Sequence, residues 1–373
     1  MQEDSQIKKV NFRYITLEGS HYEIGYQLGK KFRAIEELHH RVVTKSFNPR
    51  KTGFESFNEM LKFYESFSPG ISEEVQGLAD GFGTSPEKIA YFIVPRDGKY
   101  TCSQLAVLPP ITESDSIFVA RNYDYHPSDE DRCLIRTKVP KNYEHIGFSM
   151  ECLGRADGIN SQSLVVSMTG GGAWDAPIAN QKSFYYYVAI RVLLDKCKTV
   201  DEAVALLQEM PIYTSTIYLI VDKSGTAALV EGMDSSYSVK FIDSNSTEPF
   251  LFSTNHYTQP KMQSYNKYVN PWLKPNSQAR YKIIEKKIRG ELPNITKETL
   301  MELLSQEIPD GLCSRYFEEW FGTLWSMLFD ITNENVDVCF GPPTHNQYVK
   351  FSLKDNLPDN VFPAILVNKY SSS

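Results

Sequence analysis

Thr101-Cys102-Ser103, followed nineteen residues later by Arg121-Asn122-Tyr123-Asp124, is the stretch on which the reading of this chain turns. Upstream the text is helical. Ser20-His21-Tyr22-Glu23 reads as a capping box, in which the Ser hydroxyl accepts from the backbone N–H of Glu23 and the carboxylate reaches back. Tyr22, Ile24, Leu28, Phe32, Ile35 and Leu38 then follow an approximate helical period. Gly25 and Gly29 fall on one face of that helix; each costs about 1 kcal/mol relative to Ala, so the pair predicts a close neighbour. Further helices are expected over 54–67, from Ser72, and from Ser85-Pro86, where Pro sits at a tolerated first-turn position. The first hundred residues are thus expected to be helical.

Downstream of Cys102 the text becomes strand-like, over 116–124, 134–139, 146–152 and 164–168. Helical text returns at 185–197 and from Thr199, where Thr199-Val200-Asp201-Glu202 is a second capping box. A hairpin is expected over 216–231, turning at Lys223-Ser224-Gly225. Helices follow at 277–287 and 296–304, then strands at 324–331, 336–340 and 348–353. Blocks of strands, helices and strands predict antiparallel sheets flanked by helices.

Composition narrows the function classes. The 373 residues carry 39 Lys+Arg against 46 Asp+Glu, a formal charge of −7, with no basic run beyond pairs such as Lys30-Lys31. Binding to phosphate backbones needs a clustered cationic face, so nucleic acid is not an expected partner. No apolar run approaches the roughly 18 residues of a membrane span; the best, 185–194, is broken by Arg191. The polar N-terminus lacks the apolar core of a secretory signal, and the expected location is cytoplasmic. The six cysteines are scattered without a C-x-x-C pair, and the seven histidines show no metal-ligand spacing. Neither a metal nor a cofactor is therefore expected. The oligomeric state, including a homo-oligomer, is left open.

Taken singly, the chemistry-bearing residues have bland readings. A lone Cys102 is inert unless its setting is electropositive and accessible; Arg121 and Asp124 could form a structural ion pair; Thr254-Asn255 could be a turn. Gly170-Gly171-Gly172 is either a turn or a loop whose backbone approaches a ligand. In an extended strand Arg121 and Asp124 point to opposite faces, so both can approach Cys102 only at a strand end.

Five blocks in order resemble the cysteine N-terminal-nucleophile hydrolases, the group containing choloylglycine hydrolase, penicillin V acylase and acyl-coenzyme A:6-aminopenicillanic acid acyltransferase. Gly19 to Gly29 is similar to the acyltransferase propeptide opening, Cys102 falls at the self-cleavage position, and Arg121-Asn122-Tyr123-Asp124 resembles the R-N-x-D strand. The 218–231 hairpin, Thr254-Asn255-His256 and Ser277-x-x-Arg280 complete the order. The resemblance implies an α+β fold: a four-layer αββα sandwich of two antiparallel sheets between helical layers, with a helical, propeptide-like segment 1–101 and a catalytic domain 102–373 forming one compact unit. It implies autoproteolysis of a zymogen at Thr101-Cys102, then hydrolysis of a linear N-acyl amide through a Cys102 acyl-thioester. Transfer of the acyl group to an amine is the alternative, and an uncleaved binding protein the rival.

The same resemblance implies the roles. Arg121 would favour the thiolate and orient the freed amine, Asp124 would accept from that amine, Asn255 would donate to the oxyanion, and Arg280 would complete the network. A backbone N–H of the 170–172 loop is the expected second oxyanion donor, with Asn160 as another contributor or a plain turn residue. Thr101 stands where the acyltransferase branch is expected to carry glycine, and Gly322, in Gly322-Thr323-Leu324-Trp325, where it is expected to carry a hydroxyl.

Overall fold

The computed structural model describes residues 7–44, 53–90, 92, 101–127, 130–173, 181–319 and 321–369. The chain begins with strand β1 (Ile7–Glu18) and helices α1 (His21–Arg33), α2 (Glu36–Thr44), α3 (Phe57–Phe67), α4 (Ile71–Phe82) and α5 (Pro86–Ala90). Strands β2 (Ser103–Val107), β3 (Phe118–Tyr125), β4 (Cys133–Lys138), β5 (His145–Met150), β6 (Gly154–Arg155), β7 (Asp157–Asn160) and β8 (Val165–Gly170) follow. Next come α6 (Tyr186–Lys196), α7 (Val200–Glu209), β9 (Thr216–Val221), β10 (Ala227–Met233), β11 (Ser236–Ile242) and β12 (Phe250–Ser253). The chain closes with α8 (Leu273–Gly290), α9 (Lys297–Ser305), β13 (Arg315–Tyr316), β14 (Phe321–Asp330), β15 (Asn335–Phe340), β16 (Tyr348–Phe351) and β17 (Asn360–Val367).

Two sheets result. The larger runs β11-β10-β9-β8-β7-β5-β4-β1-β17 with β6 beside β5; the smaller runs β12-β2-β3-β14-β15-β16 with β13 beside β14. All pairings are antiparallel except β1 with β4. β2 packs on β8 and β9, which stacks the sheets face to face. Helices α6 and α7 cover the outside of the larger sheet, and α8 and α9 the outside of the smaller. Leu105, Val107, Phe118 and Leu328 meet Ile284, Ile288, Leu300 and Leu304 beneath α8 and α9. These are the α, β, β and α layers in order.

The first hundred residues are not all helical, as the sequence reading had them. β1 lies between β4 and β17, with Val10, Phe12 and Tyr14 buried in alternation. The cause is period-two hydrophobicity, whose sheet partners lie far along the chain. The segment preceding Cys102 therefore supplies an inner strand of the larger sheet. β17 is left at the edge but is poorly suited to pairing: Pro363 has no N–H, and Asn346 takes both the N–H and the carbonyl of Ile365.

The α1 capping box forms with both bonds present. At α7, Thr199 accepts from Glu202 N, but the carboxylate reaches Lys198 N instead of Thr199 N. The glycine pair on α1 does meet a close neighbour. Gly25 and Gly29 face Gly77 and Gly81 of α4, and a Cβ on any of the four would come within 3.0 Å of the opposite backbone. Glu74 of α4 then binds the Arg191 guanidinium of α6 through Nη1 at 3.2 Å and Nη2 at 3.3 Å, fixing the N-terminal helices to the main body. Gly77→Val is expected to lower stability by roughly 3 kcal/mol, read as a shift in urea midpoint at constant m-value. No helix among the described residues is long and apolar enough to cross a membrane.

Candidate active site

The site is built where β2 begins. Ser103 pairs with Asn122 and Gln104 with Arg121, and Thr101 N donates to Asp124 O at 3.2 Å, so Cys102 lies opposite Tyr123. Side chains alternate across a strand, and the two faces differ. Gln104 and Arg121 point between the sheets: Gln104 donates to Ile217 O at 3.0 Å, and Arg121 Nη1 reaches Ala156 O at 2.8 Å and the Asp157 carboxylate at 3.0 Å. Ser103, Asn122 and Asp124 face the helical side, where Asn122 donates to Leu304 O at 3.0 Å. Cys102 shares the inner cluster with Tyr123 and Ala106, whereas Leu105 and Val107 belong to the outer one.

Arg280 ties the outer face together. It sits well inside α8, not at a helix start. Its Nη1 donates to Cys102 O at 2.6 Å and Ser103 Oγ at 2.9 Å, its Nη2 to Asn255 Oδ1 at 2.7 Å, and its Nε to Asn276 Oδ1 at 2.8 Å. The bond to Asn255 Oδ1 fixes which end of that amide is the donor. Asn255 Nδ2 gives one hydrogen to Gly170 O at 2.9 Å, and an amide nitrogen carries two. The backbone N–H of Asn255 rests on Ser277 Oγ at 2.7 Å.

Burial dominates the electrostatics. The Cys102 thiol is pushed up to about 11, chiefly by burial, with Asp124 adding to the rise and Arg121 and Arg280 opposing it. Arg121 acts on the thiol in the expected direction, but burial outweighs it in the intact chain. Asp124 is pushed up to about 7 by burial, against the pull of Arg280, the Thr323 and Thr101 hydroxyls and Arg121. Thr323 Oγ1 donates to Asp124 Oδ1 at 2.7 Å, whereas Oδ2 meets no donor at hydrogen-bonding geometry.

The structure thus gathers Asp124, Asn255 and Arg280 around the Cys102 backbone, with the Cys102 thiol and Arg121 on the inner face. It does not bring every expected donor. Gly171 N is committed to Ser215 O at 3.1 Å. Asn160 ends β7 and braces the turn that follows, its amide nitrogen donating to Leu194 O and Cys197 O and its oxygen accepting from Gln162 N and Leu164 N. Gly322 carries no side chain because a Cβ there would enter the Phe317 ring.

Sequence reasoning missed the supports on β14. A register shift between Thr323 and Trp325 inserts Leu324 as a bulge, so Thr323 opposes Asp124 while Trp325 opposes Tyr123. Residues two apart would otherwise share a face. The bulge lets one strand serve both: Thr323 holds Asp124 outside, and Trp325 stacks on Tyr123 at 3.9 Å inside. Trp325 Nε1 also donates to Asp157 Oδ2 at 3.0 Å, the carboxylate paired with Arg121. A hydroxyl two residues before a tryptophan in a strand was the only visible signal. Among the described residues, no group of three or more His, Cys, Asp or Glu could hold a metal.

Residues 111–345 match the family described as acyl-coenzyme A:6-aminopenicillanic acid acyl-transferase. The chain belongs to that family. Its match takes in Arg121, Asp124, Asn255, Arg280 and Thr323 and begins downstream of Cys102. Family membership also places the chain among the N-terminal-nucleophile hydrolases. Among solved structures it is similar to a mutant conjugated bile acid hydrolase from Clostridium perfringens, at 13% identity over 73% of this chain and 98% of that one, TM-score 0.44. It is also similar to penicillin V acylase from Agrobacterium tumefaciens, at 12% identity over 68% and 86%, TM-score 0.38. A Caenorhabditis elegans N-acylethanolamine-hydrolyzing acid amidase ortholog aligns at 14% identity over 62% and 93%, TM-score 0.41. No curated protein sequence matches the acyl-transferase family member described here.

Proposed function

We propose that this chain hydrolyses a linear N-acyl amide through an acyl-thioester on Cys102, after the Thr101–Cys102 bond has been cut by the same sulfur. The observation that supports the reading is that polar groups hold both sides of the Thr101–Cys102 bond: the Arg280 guanidinium on the Cys102 carbonyl, the Asp124 carbonyl on the Thr101 N–H, and an Asn255 amide oriented by that same arginine. In self-cleavage the sulfur attacks the Thr101 carbonyl carbon, the C–N bond breaks and the thiol proton ends on the freed nitrogen. Water then hydrolyses the thioester, restoring the thiol and leaving a carboxylate on Thr101. Asp124, poised at about 7, suits the proton transfer near neutrality.

Cutting turns an amide nitrogen into an amine, with an ordinary pKa of about 7.7–8.0. That amine takes the thiol proton as sulfur attacks the substrate carbonyl, then gives it to the departing nitrogen. Asn255 supports the oxyanion. Water completes hydrolysis; an acceptor amine would instead complete acyl transfer, the second reading, which the family's name favours.

N-terminal sequencing of the purified protein is expected to find a fragment starting at Cys102. The two pieces are expected to co-elute in gel filtration, because β1 is held between β4 and β17 and Glu74 of α4 binds Arg191 of α6. A single uncut chain that turns over amides would remove the amine's role. Thr323→Val takes away a donor to the ionised Asp124, so the acid limb of activity is expected to move to higher pH, with kcat falling about tenfold and KM little changed. Thr323→Ser should restore both.

A further inference from the structure

A cavity of about 360 Å³ opens beside the outer face of the site, within the roughly 300–1,000 Å³ range of small-ligand pockets. Its floor is Thr101, Asp124 and Arg280; its walls include Trp272, Pro275, Ile308 and Tyr316. Asp124 is fully buried and brings to this floor a carboxyl whose Oδ1 is held by Thr323.

Strand alternation decides which half of a substrate fits here. Cys102 projects between the sheets with Tyr123, while Thr101 and Asp124 project toward the cavity. Thr101 lines the cavity and is the residue that the Cys102 nitrogen carries before cutting, so its departure would open the freed nitrogen to that space. This nitrogen must stand within hydrogen-bond reach of the departing one, about 2.6–3.2 Å. The acyl group, bonded to sulfur, extends from the opposite face.

Charge decides which amine fits. Among the described lining residues Arg280 is the one cation, and its Nε, Nη1 and Nη2 already donate to Asn276, Cys102, Ser103 and Asn255. Asp124 answers its charge. A carboxylate on the amine would lose water without gaining an uncommitted cation, whereas aromatic and aliphatic walls favour an apolar body.

We propose that this cavity receives the amine half of the amide and selects uncharged amines with an apolar or aromatic body. The inference rests on the Cys102 reaction proposed above. The test compares N-acyl anilides with N-acyl 4-aminobenzoates carrying the same phenylacetyl or octanoyl group, amines that differ in charge but little in leaving ability, in wild type and in Trp272→Lys. Trp272 is 61% exposed at the cavity mouth, so the fold should tolerate that change. Wild type should favour the anilide at least about tenfold in kcat/KM. The lysine should narrow that preference at least about fivefold while leaving the ranking of acyl groups unchanged. A response confined to the acyl series, or equal turnover of the 4-aminobenzoates, would overturn the assignment. Fluorescence titration with free 4-nitroaniline separates the two ideas. Binding weakened by Trp272→Lys in protein without turnover keeps the cavity and sinks the reaction. Turnover with amine preference indifferent to Trp272→Lys keeps the reaction and sinks the cavity.

Discussion

Cys102→Ala should yield one uncut chain without amide turnover, a loss on the order of 10⁴–10⁶ in rate, as when a covalent nucleophile is removed elsewhere. Intact mass reads the first effect and release of 4-nitroaniline the second. The fold should survive, since the side chain is small and the neighbouring backbone contacts with Asp124 and Arg280 remain. Cys102→Ser is expected to cut more slowly, because a hydroxyl is harder to deprotonate than a thiol already pushed up to about 11. Amide cleavage persisting in the alanine variant would end the Cys102 reading.

Asp124→Asn has the second largest expected effect, and it acts in opposite directions on activity and stability. Self-cleavage should slow by roughly 10²–10⁴ and lose its rise with pH around 7. Stability should increase. The Asp124 carboxyl keeps its proton to about pH 7 in the fold but only to about pH 4 in an unfolded chain. Its stabilising contribution is fully present below the unfolded value and is lost as pH rises through 7. Above that, the buried carboxylate weighs against the fold, by an amount on the order of 2–4 kcal/mol. Asparagine carries no such charge, so the variant should resist urea better than Cys102→Ala at pH 8, with the difference closing at pH 5. An unchanged midpoint at both pH values would mean that Asp124 is not held in its neutral form. The opposed signs follow from one cause: a carboxyl kept out of water for its chemistry makes the fold less stable at the pH where it works.

Much of this site is legible in the sequence because its motifs are residue types at short, fixed spacings. Cys102, Arg121, Asp124, Asn255 and Arg280 each belong to such a block. The Gly25/Gly29 pair likewise announces a close neighbour, though not that the neighbour is a matching pair on α4. β1 was hidden for another reason: its alternation is plain, but its antiparallel partner β17 lies at the other end of the chain. The Thr323–Asp124 bond spans 199 positions and the Trp325–Asp157 bond 168, and no local pattern encodes either. The bulge at Leu324, which sends those two supports to opposite faces, exists only as a mismatch between β14 and β3.

By itself, the sequence determined most of the strand and helix blocks from Cys102 onward and which residues could carry chemistry. Those depend on composition and on neighbours a few positions apart. Tertiary structure alone decided that burial pushes up both the Cys102 thiol and the Asp124 carboxyl, that Gly171 is already engaged and that Arg280 has no nitrogen without a protein partner. A proton's affinity for its site is set by lost water and by charges arriving from distant strands, and those come together only when the layers close.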